Sequence, residues 1–378
     1  MTIDFGILST YPPTQCGLAT FSDSLRRALV AGGNRVGVVS VVDSVDVDAP
    51  DAVAHQWVRS DPLGAPSAAA ALREYDVAVI QHEYGIFPGR DGMEVLDVAR
   101  KVDAPIITVL HTVLTDPSRR QRAILEQLGR ESVELVVMTD TGRLRLIDHY
   151  DVDPDRIKVI PHGSADIQAV PAGTTLPTDR PAILTWGLLG EGKGIEWAIE
   201  AMAQLADLDP RPCYYVVGQT HPRVLEQFGE QYRDDLIRRA ADAGISDMVR
   251  FDARYLDNSE LHQIVRQADV VLLPYDSLDQ VTSGVLIEAV AAGKPVVSTG
   301  FPHARELLAG GAGLLVDRQD PIAIAGALRR VLTEPGLAGS MAAHARQIAP
   351  NLLWSAVADR YQELALGALR PTAFAESA

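Results

Sequence analysis

Two strand-to-helix junctions in the second half of the chain carry residues suited to holding an anion. The first, GLLGEGKGIE at Gly187–Glu196, follows the apolar run Ala182–Trp186 and leads into a helix near Ile195. Glycines let backbone approach a ligand closely, and Lys193 can reach a charge held at the helix start. A phosphate-binding GxxxxGK[ST] loop would need Ser or Thr where Gly194 stands, so that motif is excluded. A glycine-rich turn with a solvated lysine is the plain alternative. The second junction, after Val270–Leu273, places Thr282, Ser283 and Gly284 where a helix should begin. Ser or Thr there is a good N-cap, and the helix start offers free N–H groups and partial positive charge. A diphosphate could then rest on the amides of Gly284, Val285 and Leu286. Glu288 stands one turn on in an otherwise apolar helix, placed to accept hydrogen bonds from a ribose diol; a surface glutamate is the alternative.

The first half contributes histidines. His82 ends a strand in IQHEYG with Glu83 beside it, and His111 ends another in VLHT. Singly each reads as a structural hydrogen bonder; together at the carboxyl edge of one sheet they mark a cleft. His162, in IPHGS, stands near the hinge, and with His82 and Glu83 it belongs to the candidate acceptor or cleft group. Gly17 closes the YPPTQCG loop before a helix, where it meets a phosphate or simply makes a tight turn. No HExxH or paired-ligand spacing links these residues, so neither a metal nor a bound cofactor is expected.

These residues need a scaffold, and the chain supplies strand–helix alternation twice. Strands are predicted at Asp4–Leu8, Arg35–Val42, Asp76–Gln81, Pro105–Leu110, Leu135–Met138 and Lys158–Ile160. After a break they resume at Ala182–Trp186, Tyr214–Val217, Val249–Phe251, Val270–Leu273, Pro295–Ser298 and Gly313–Val316. Helices are predicted at Ala19–Ala31, Arg119–Leu128, Ile195–Leu205, Arg223–Ala243, Leu261–Gln267 and Gly284–Ala292. Short apolar strands alternating with helices imply an α/β fold of two doubly wound parallel sheets. The reading divides the chain into an N-terminal domain (1–168), a Pro/Gly/Thr-rich linker (169–180) and a C-terminal domain (181–349). A helix (350–369), able to cover either domain, and a tail (370–378) follow.

Composition limits the partners. With 378 residues, two domains are the default. The formal net charge of -16 weighs against nucleic acid. The two cysteines, Cys16 and Cys213, lack metal-ligand spacing and fit a reducing compartment. The N-terminus reads as a strand rather than a signal peptide, and no apolar run is long enough to span a bilayer. A cytoplasmic protein is expected. SRRQR at Ser118–Arg122 is either a solvated basic face or a peripheral contact with an anionic headgroup at the inner membrane face.

The sequence resembles the retaining glycosyltransferases of family 4 (group 1), which have the GT-B fold, and more closely their bacterial mannosyltransferase-like branch. The likeness is carried in order by YPPTQCGLATF, QHEYGIF, TVLHTVL, VIPHG, WGLLGEGKGIEWAIEAM, VVGQTHP and SGVLIEAVAAGKPVVSTGFPHARELL. It implies two Rossmann-like domains facing a cleft, with a nucleotide-sugar donor on the C-terminal domain and an acceptor on the N-terminal one. It implies that Lys193 neutralises the donor diphosphate, Glu288 binds the ribose, and Gly187, Thr282, Ser283, Gly284, Val285 and Leu286 line the donor site. Gly17 would approach the phosphates, and His111 the transferred sugar. Catalysis would need no metal.

Two positions depart from the family. The first glutamate of its E-x7-E pair is Gln280 here, beside Asp279, and its Gly-Arg-Leu reads Gly187-Leu188-Leu189. Gln280 still bonds sugar hydroxyls but carries no charge, and Lys193 is left as the main cation. The expected activity is hexosyl transfer, mannose from GDP-mannose foremost, to a glycan, lipid-linked or small-molecule acceptor. The alternative is a non-catalytic nucleotide-sugar-binding homologue or partner subunit; an epimerase or phosphorylase has no supporting motif.

Overall fold

The order in which strands join each sheet decides where ligands can sit. The computed structural model describes residues 2–171, 176, 179–276 and 280–370. Asp279, half of the expected linker and the tail from 371 lie outside the described residues. The chain divides into two compact units, Met1–Gly163 with Trp354–Ala378, and Ser164–Leu353.

The first unit runs β1 (Asp4–Ser9), α1 (Gly17–Ala31), β2 (Arg35–Val42), β3 (Val53–Val58), α2 (Gly64–Leu72), β4 (Val77–His82), α3 (Val95–Ala99), β5 (Ile106–Leu110), α4 (Arg119–Glu131), β6 (Glu134–Val137), α5 (Asp140–His149) and β7 (Ile157–Val159). Its parallel sheet has the order β3-β2-β1-β4-β5-β6-β7. β4 and β5 are buried along their whole length, as expected of apolar runs covered on both faces.

The second unit runs β8 (Ala182–Trp186), α6 (Ile195–Ala203), β9 (Cys213–Val217), α7 (Pro222–Phe228), α8 (Gln231–Asp242), β10 (Val249–Asp252), α9 (Asn258–Gln267), β11 (Val270–Leu273), α10 (Gly284–Ala291), β12 (Val296–Thr299), α11 (Pro302–Leu308), β13 (Gly313–Val316), α12 (Pro321–Thr333) and α13 (Leu337–Ile348). Its sheet order is β10-β9-β8-β11-β12-β13. Both sheets reverse direction of growth beside their first strand, between β1 and β4 and between β8 and β11. Loops leaving two adjacent strands in opposite directions open a crevice there, the usual ligand position in such folds.

The last helix, α14 (Trp354–Ala368), belongs to the first unit. Val357, Ala358, Tyr361 and Ala365 recur at helical spacing and are buried in the core that contains Phe5, Ile7 and Leu25. Gln362 accepts a hydrogen bond from the Asn34 side chain at 3.1 Å. The single helix expected over Arg223–Ala243 is two. Gly229, at φ 61°, donates its N–H to the Leu225 carbonyl at 2.9 Å and closes α7 before α8 begins. A left-handed glycine after the last turn is a common way to end a helix.

Candidate functional site

In the second unit the two glycine- and serine-bearing junctions meet at the reversal point. Gly187 leaves β8 at φ 117°, and its N–H donates to the Val217 carbonyl at 3.0 Å. Gly194, at φ 66°, lies so close to β11 that a Cβ there would sit 1.9 Å from the Pro274 carbonyl oxygen. Only glycine accommodates both demands, and the result is to press the Lys193 loop onto the end of β11. Lys193 Nζ lies 4.6 Å from the centroid of the Tyr275 ring, a cation–π contact. Tyr275 in turn stacks on Phe301 at 5.4 Å, and its buried hydroxyl has no partner among the described residues.

The start of α10 is built around Ser283. Its Oγ accepts the Leu286 N–H at 3.2 Å, so Leu286 spends its amide inside the cap. Of the three amides expected to face a phosphate, that one is therefore corrected to a structural role. Gly284 and Val285 keep the open amides that a helix start offers. The Ser283 N–H donates to Nδ1 of His303, 2.9 Å away and 3% exposed. An accepting Nδ1 makes His303 a neutral ring with its proton on Nε2. The His303 backbone N–H reaches the Gln280 carbonyl at 3.4 Å, while Gln280 Nε2 donates to the Thr282 carbonyl at 3.0 Å. Gln280 thus braces the loop before the cap.

Glu288 is not a solvated surface glutamate. Its Oε2 accepts the Trp186 indole N–H at 3.0 Å, joining α10 to the end of β8. Burial pushes its carboxyl up to about 7, against the opposing pull of that indole bond. Gly187 comes near the same helix, since a Cβ on it would lie 3.7 Å from Val285 Cγ2. Lys193, Gly187, Thr282, Ser283, Gly284, Val285 and Glu288 therefore cluster at one crevice.

The first unit brings its histidines together differently. The His111 backbone N–H donates to the His82 carbonyl at 3.1 Å across neighbouring strands. His111 donates Nε2–H to Gln81 Oε1 at 2.7 Å and meets Phe21 edge-on at 4.8 Å. Burial, then the neighbouring His162 and His82, bring its pKa down to about 3, so it is neutral at pH 7 with Nδ1 left to accept a bond. His162 donates Nδ1–H to the Gly163 carbonyl at 2.7 Å and contacts Phe21 and Trp354 at 5.0 and 5.5 Å. Burial brings its pKa down to about 4.

His82 departs from expectation. It is 0% exposed, both ring nitrogens lack partners, and burial alone takes its pKa down to about 4. It is the last residue of β4, at the strand end as expected, but it packs edge-on against Tyr84 at 4.9 Å and is covered rather than open to a ligand. Glu83 accepts the Tyr84 N–H at 2.9 Å and the Thr112 hydroxyl, fixing the turn. Gly17 is the exposed first residue of α1, whose cap is Cys16 Sγ, 3.4 Å from the Ala19 nitrogen. Nothing lies within 4 Å of a Cβ built on Gly17, so space remains for a ligand to approach.

Several contributors were not singled out from sequence: Gln81, Phe21, Trp354, Trp186, Tyr275 and His303. Phe21, Gln81, Trp186 and His303 stand within motif segments that carry the family likeness, the one signal available. The aromatic contacts of Phe21 and Tyr275 depend on neighbours distant in sequence. Among the described residues, no group of three or more His, Cys, Asp or Glu is arranged to hold a metal ion, and no helix is long and apolar enough to cross a membrane.

Comparison with known proteins identifies the family and the fold. Residues 16–164 match the family described as Glycosyltransferase Family 4, and residues 166–348 match Glycosyl transferases group 1. The chain is 32% identical to a D-inositol 3-phosphate glycosyltransferase of Frankia alni over 75% of this chain and 74% of that protein. The Corynebacterium efficiens protein of the same name is 30% identical over 77% and 71%. These relatives are not named as mannosyltransferases. In fold, Anabaena HepE in complex with UDP superposes with a TM-score of 0.76 at 17% identity, covering 97% of this chain and 100% of that one. Sucrose-phosphate synthase of Thermosynechococcus elongatus gives 0.76 at 18%, covering 97% and 98%.

Proposed function

The chain belongs to the group 1, family 4 glycosyltransferases of GT-B fold, enzymes that use nucleotide-sugar donors, and from that premise we propose a retaining hexosyltransferase that needs no metal. The observation carrying this reading is the crevice between β8 and β11, where one lysine, two open helix amides and a half-buried carboxylate converge. A nucleoside diphosphate meets a cation at Lys193, N–H donors at Gly284 and Val285, and an acceptor for its ribose hydroxyls at Glu288. Positive charge from a side chain and a helix start takes the part a divalent cation plays elsewhere.

The reaction is a front-face displacement. The acceptor oxygen forms a bond to the anomeric carbon as the bond to the diphosphate oxygen breaks, and the departing phosphate takes the acceptor's proton. His111 holds a hydroxyl of the transferred sugar through Nδ1, its other nitrogen being tied to Gln81. Gln280, lacking the charge of a glutamate, acts through the loop it braces.

For the donor we propose mannose from GDP-mannose, supported by the mannosyltransferase-like segments. The UDP complexes of fold neighbours support a uridine nucleotide as the competing choice. A thermal-shift screen against GDP, UDP and ADP and their sugars, with and without chelator, separates them, because a ligand bound only by the folded state raises the melting temperature. Stabilisation by GDP-mannose with chelator present, and GDP release on adding acceptor, is the expected result. No stabilisation by any nucleotide sugar would end the proposal. Binding without turnover for every acceptor would instead favour the non-catalytic homologue.

A further inference from the structure

A second cavity lies wholly within the first unit, at the carboxyl ends of β1 and β2 beside β3. It measures about 260 Å³ and is bounded by the Tyr11–Thr14 loop on one side and the segment after β2 on the other. That is near the lower end of small-molecule pockets, roughly 300 Å³ upward, so it admits one ring rather than an oligosaccharide.

Its chemistry is one-sided. The polar side chains facing it include Thr14, Ser40, Ser44, Asp43 and Asp46, and no lysine or arginine is in the lining. Asp43 meets Arg59 at 3.1 Å from outside the lining, whereas among the described residues no cation pairs with Asp46. The segment continues with Asp48 and Asp51 and has no basic residue from 43 to 51. Gln56 is spent: its amide oxygen takes the Asp46 N–H at 2.8 Å and its amide nitrogen donates to the Asp46 carbonyl at 2.7 Å. That pair fixes the backbone of Asp46 at the cavity wall. Ser40 is the second, independent feature. It is 3% exposed, it lines this cavity, and among the described residues its hydroxyl pairs with no protein group. A hydroxyl that no protein group takes is left to bond solvent or a ligand at the cavity wall.

We infer that this cavity is a binding site for a single polyol ring that is uncharged or amine-bearing and carries no phosphate. Hydroxyl groups donate to and accept from sugar hydroxyls, carboxylates accept from them, attract an ammonium and repel a phosphate dianion. The ligand is called an acceptor only through the glycosyl-transfer reading above. Its class differs from the phosphorylated inositol for which the curated relatives are named.

Calorimetric titration of the full chain with myo-inositol, D-glucose and D-glucosamine, each paired with its phosphate monoester, tests the inference. Each phosphate-free compound is expected to bind at least tenfold tighter than its monoester. Ser40→Ala, which removes one oxygen, and Thr14→Ala in the exposed loop should each weaken the phosphate-free ligands severalfold. Asp46→Asn should narrow the gap between the pairs. Tighter binding of the monoesters, no binding of any probe, or Ser40→Ala and Thr14→Ala titrating like the parent would overturn the site. Nucleoside diphosphate is titrated into the same protein. Polyol binding without nucleotide binding would sink the transferase proposal and leave the cavity assignment standing; the reverse would sink the cavity alone.

Discussion

The two units build their sheet edges from opposite electrostatic materials. The first gathers three imidazoles that burial keeps neutral, with pKa values brought down to about 4, 3 and 4 for His82, His111 and His162. The second gathers an open helix start, a lysine on an aromatic face and a glutamate pushed up to about 7. The difference suits a division of labour in which a neutral His111 orients a sugar hydroxyl and charged groups hold a diphosphate. It also gives the units opposite responses to pH. Histidines whose pKa falls on folding stabilise fully above about 6.5, and that contribution is lost as pH drops toward 4. A glutamate whose pKa rises on folding stabilises fully below about 4.5, and that contribution is lost as pH climbs through 7.

The sharpest way to break the comparison is through His111. His111→Ala should lower kcat on the order of 100-fold, the usual loss when one positioned polar group leaves a transition state, with donor affinity nearly unchanged. A parallel loss of nucleotide affinity would end the division of labour. Next comes acid stability. His82→Leu should flatten the loss of first-unit stability between pH 6.5 and 4, worth roughly 3 kcal/mol for a group brought down this far. Tryptophan fluorescence from a variant retaining only Trp57 and Trp354 reports that unit. Lys193→Ala should weaken nucleoside diphosphate binding about 10- to 100-fold, as loss of one charge-assisted contact does. Unchanged affinity would remove Lys193 from the donor site.

A smaller effect concerns Glu288. If its ionised form accepts the ribose hydroxyls, donor Kd should fall as pH rises toward 7 and level off above it, by at most about tenfold per pH unit. Glu288→Gln should abolish that slope; a slope that survives belongs to another group. Smallest is Ser283→Ala, expected to destabilise the second unit by about 1 kcal/mol through loss of the cap, seen in its denaturation midpoint.

The sheets were legible because most strands, edge strand β13 included, are written as short apolar runs. Arg35–Val42, Ala182–Trp186, Val270–Leu273 and Gly313–Val316 have the limits read from sequence. β3 was not, since VAHQWV mixes polar residues into an edge strand in which only Trp57 is buried. Nor were the short α3 and the alanine-rich α2, α12 and α13. At the site, the cap by Ser283 could be read because capping is local in sequence. The indole on Glu288 arrives from 102 residues away and the imidazole on Ser283 from 20, through strand order that no local pattern encodes. His82 ends its strand as read, but its cover by residues such as Tyr84 is tertiary packing that the strand pattern does not encode.

The return of α14 to the first unit has a consequence for biosynthesis. Trp354 meets Phe21 at 5.0 Å, and Val357, Ala358, Tyr361 and Ala365 complete the core begun by β1 and α1. On the ribosome that core stays uncovered while Ser164–Leu353 is translated, and it closes only when α14 emerges. The half of the molecule made first is the half finished last.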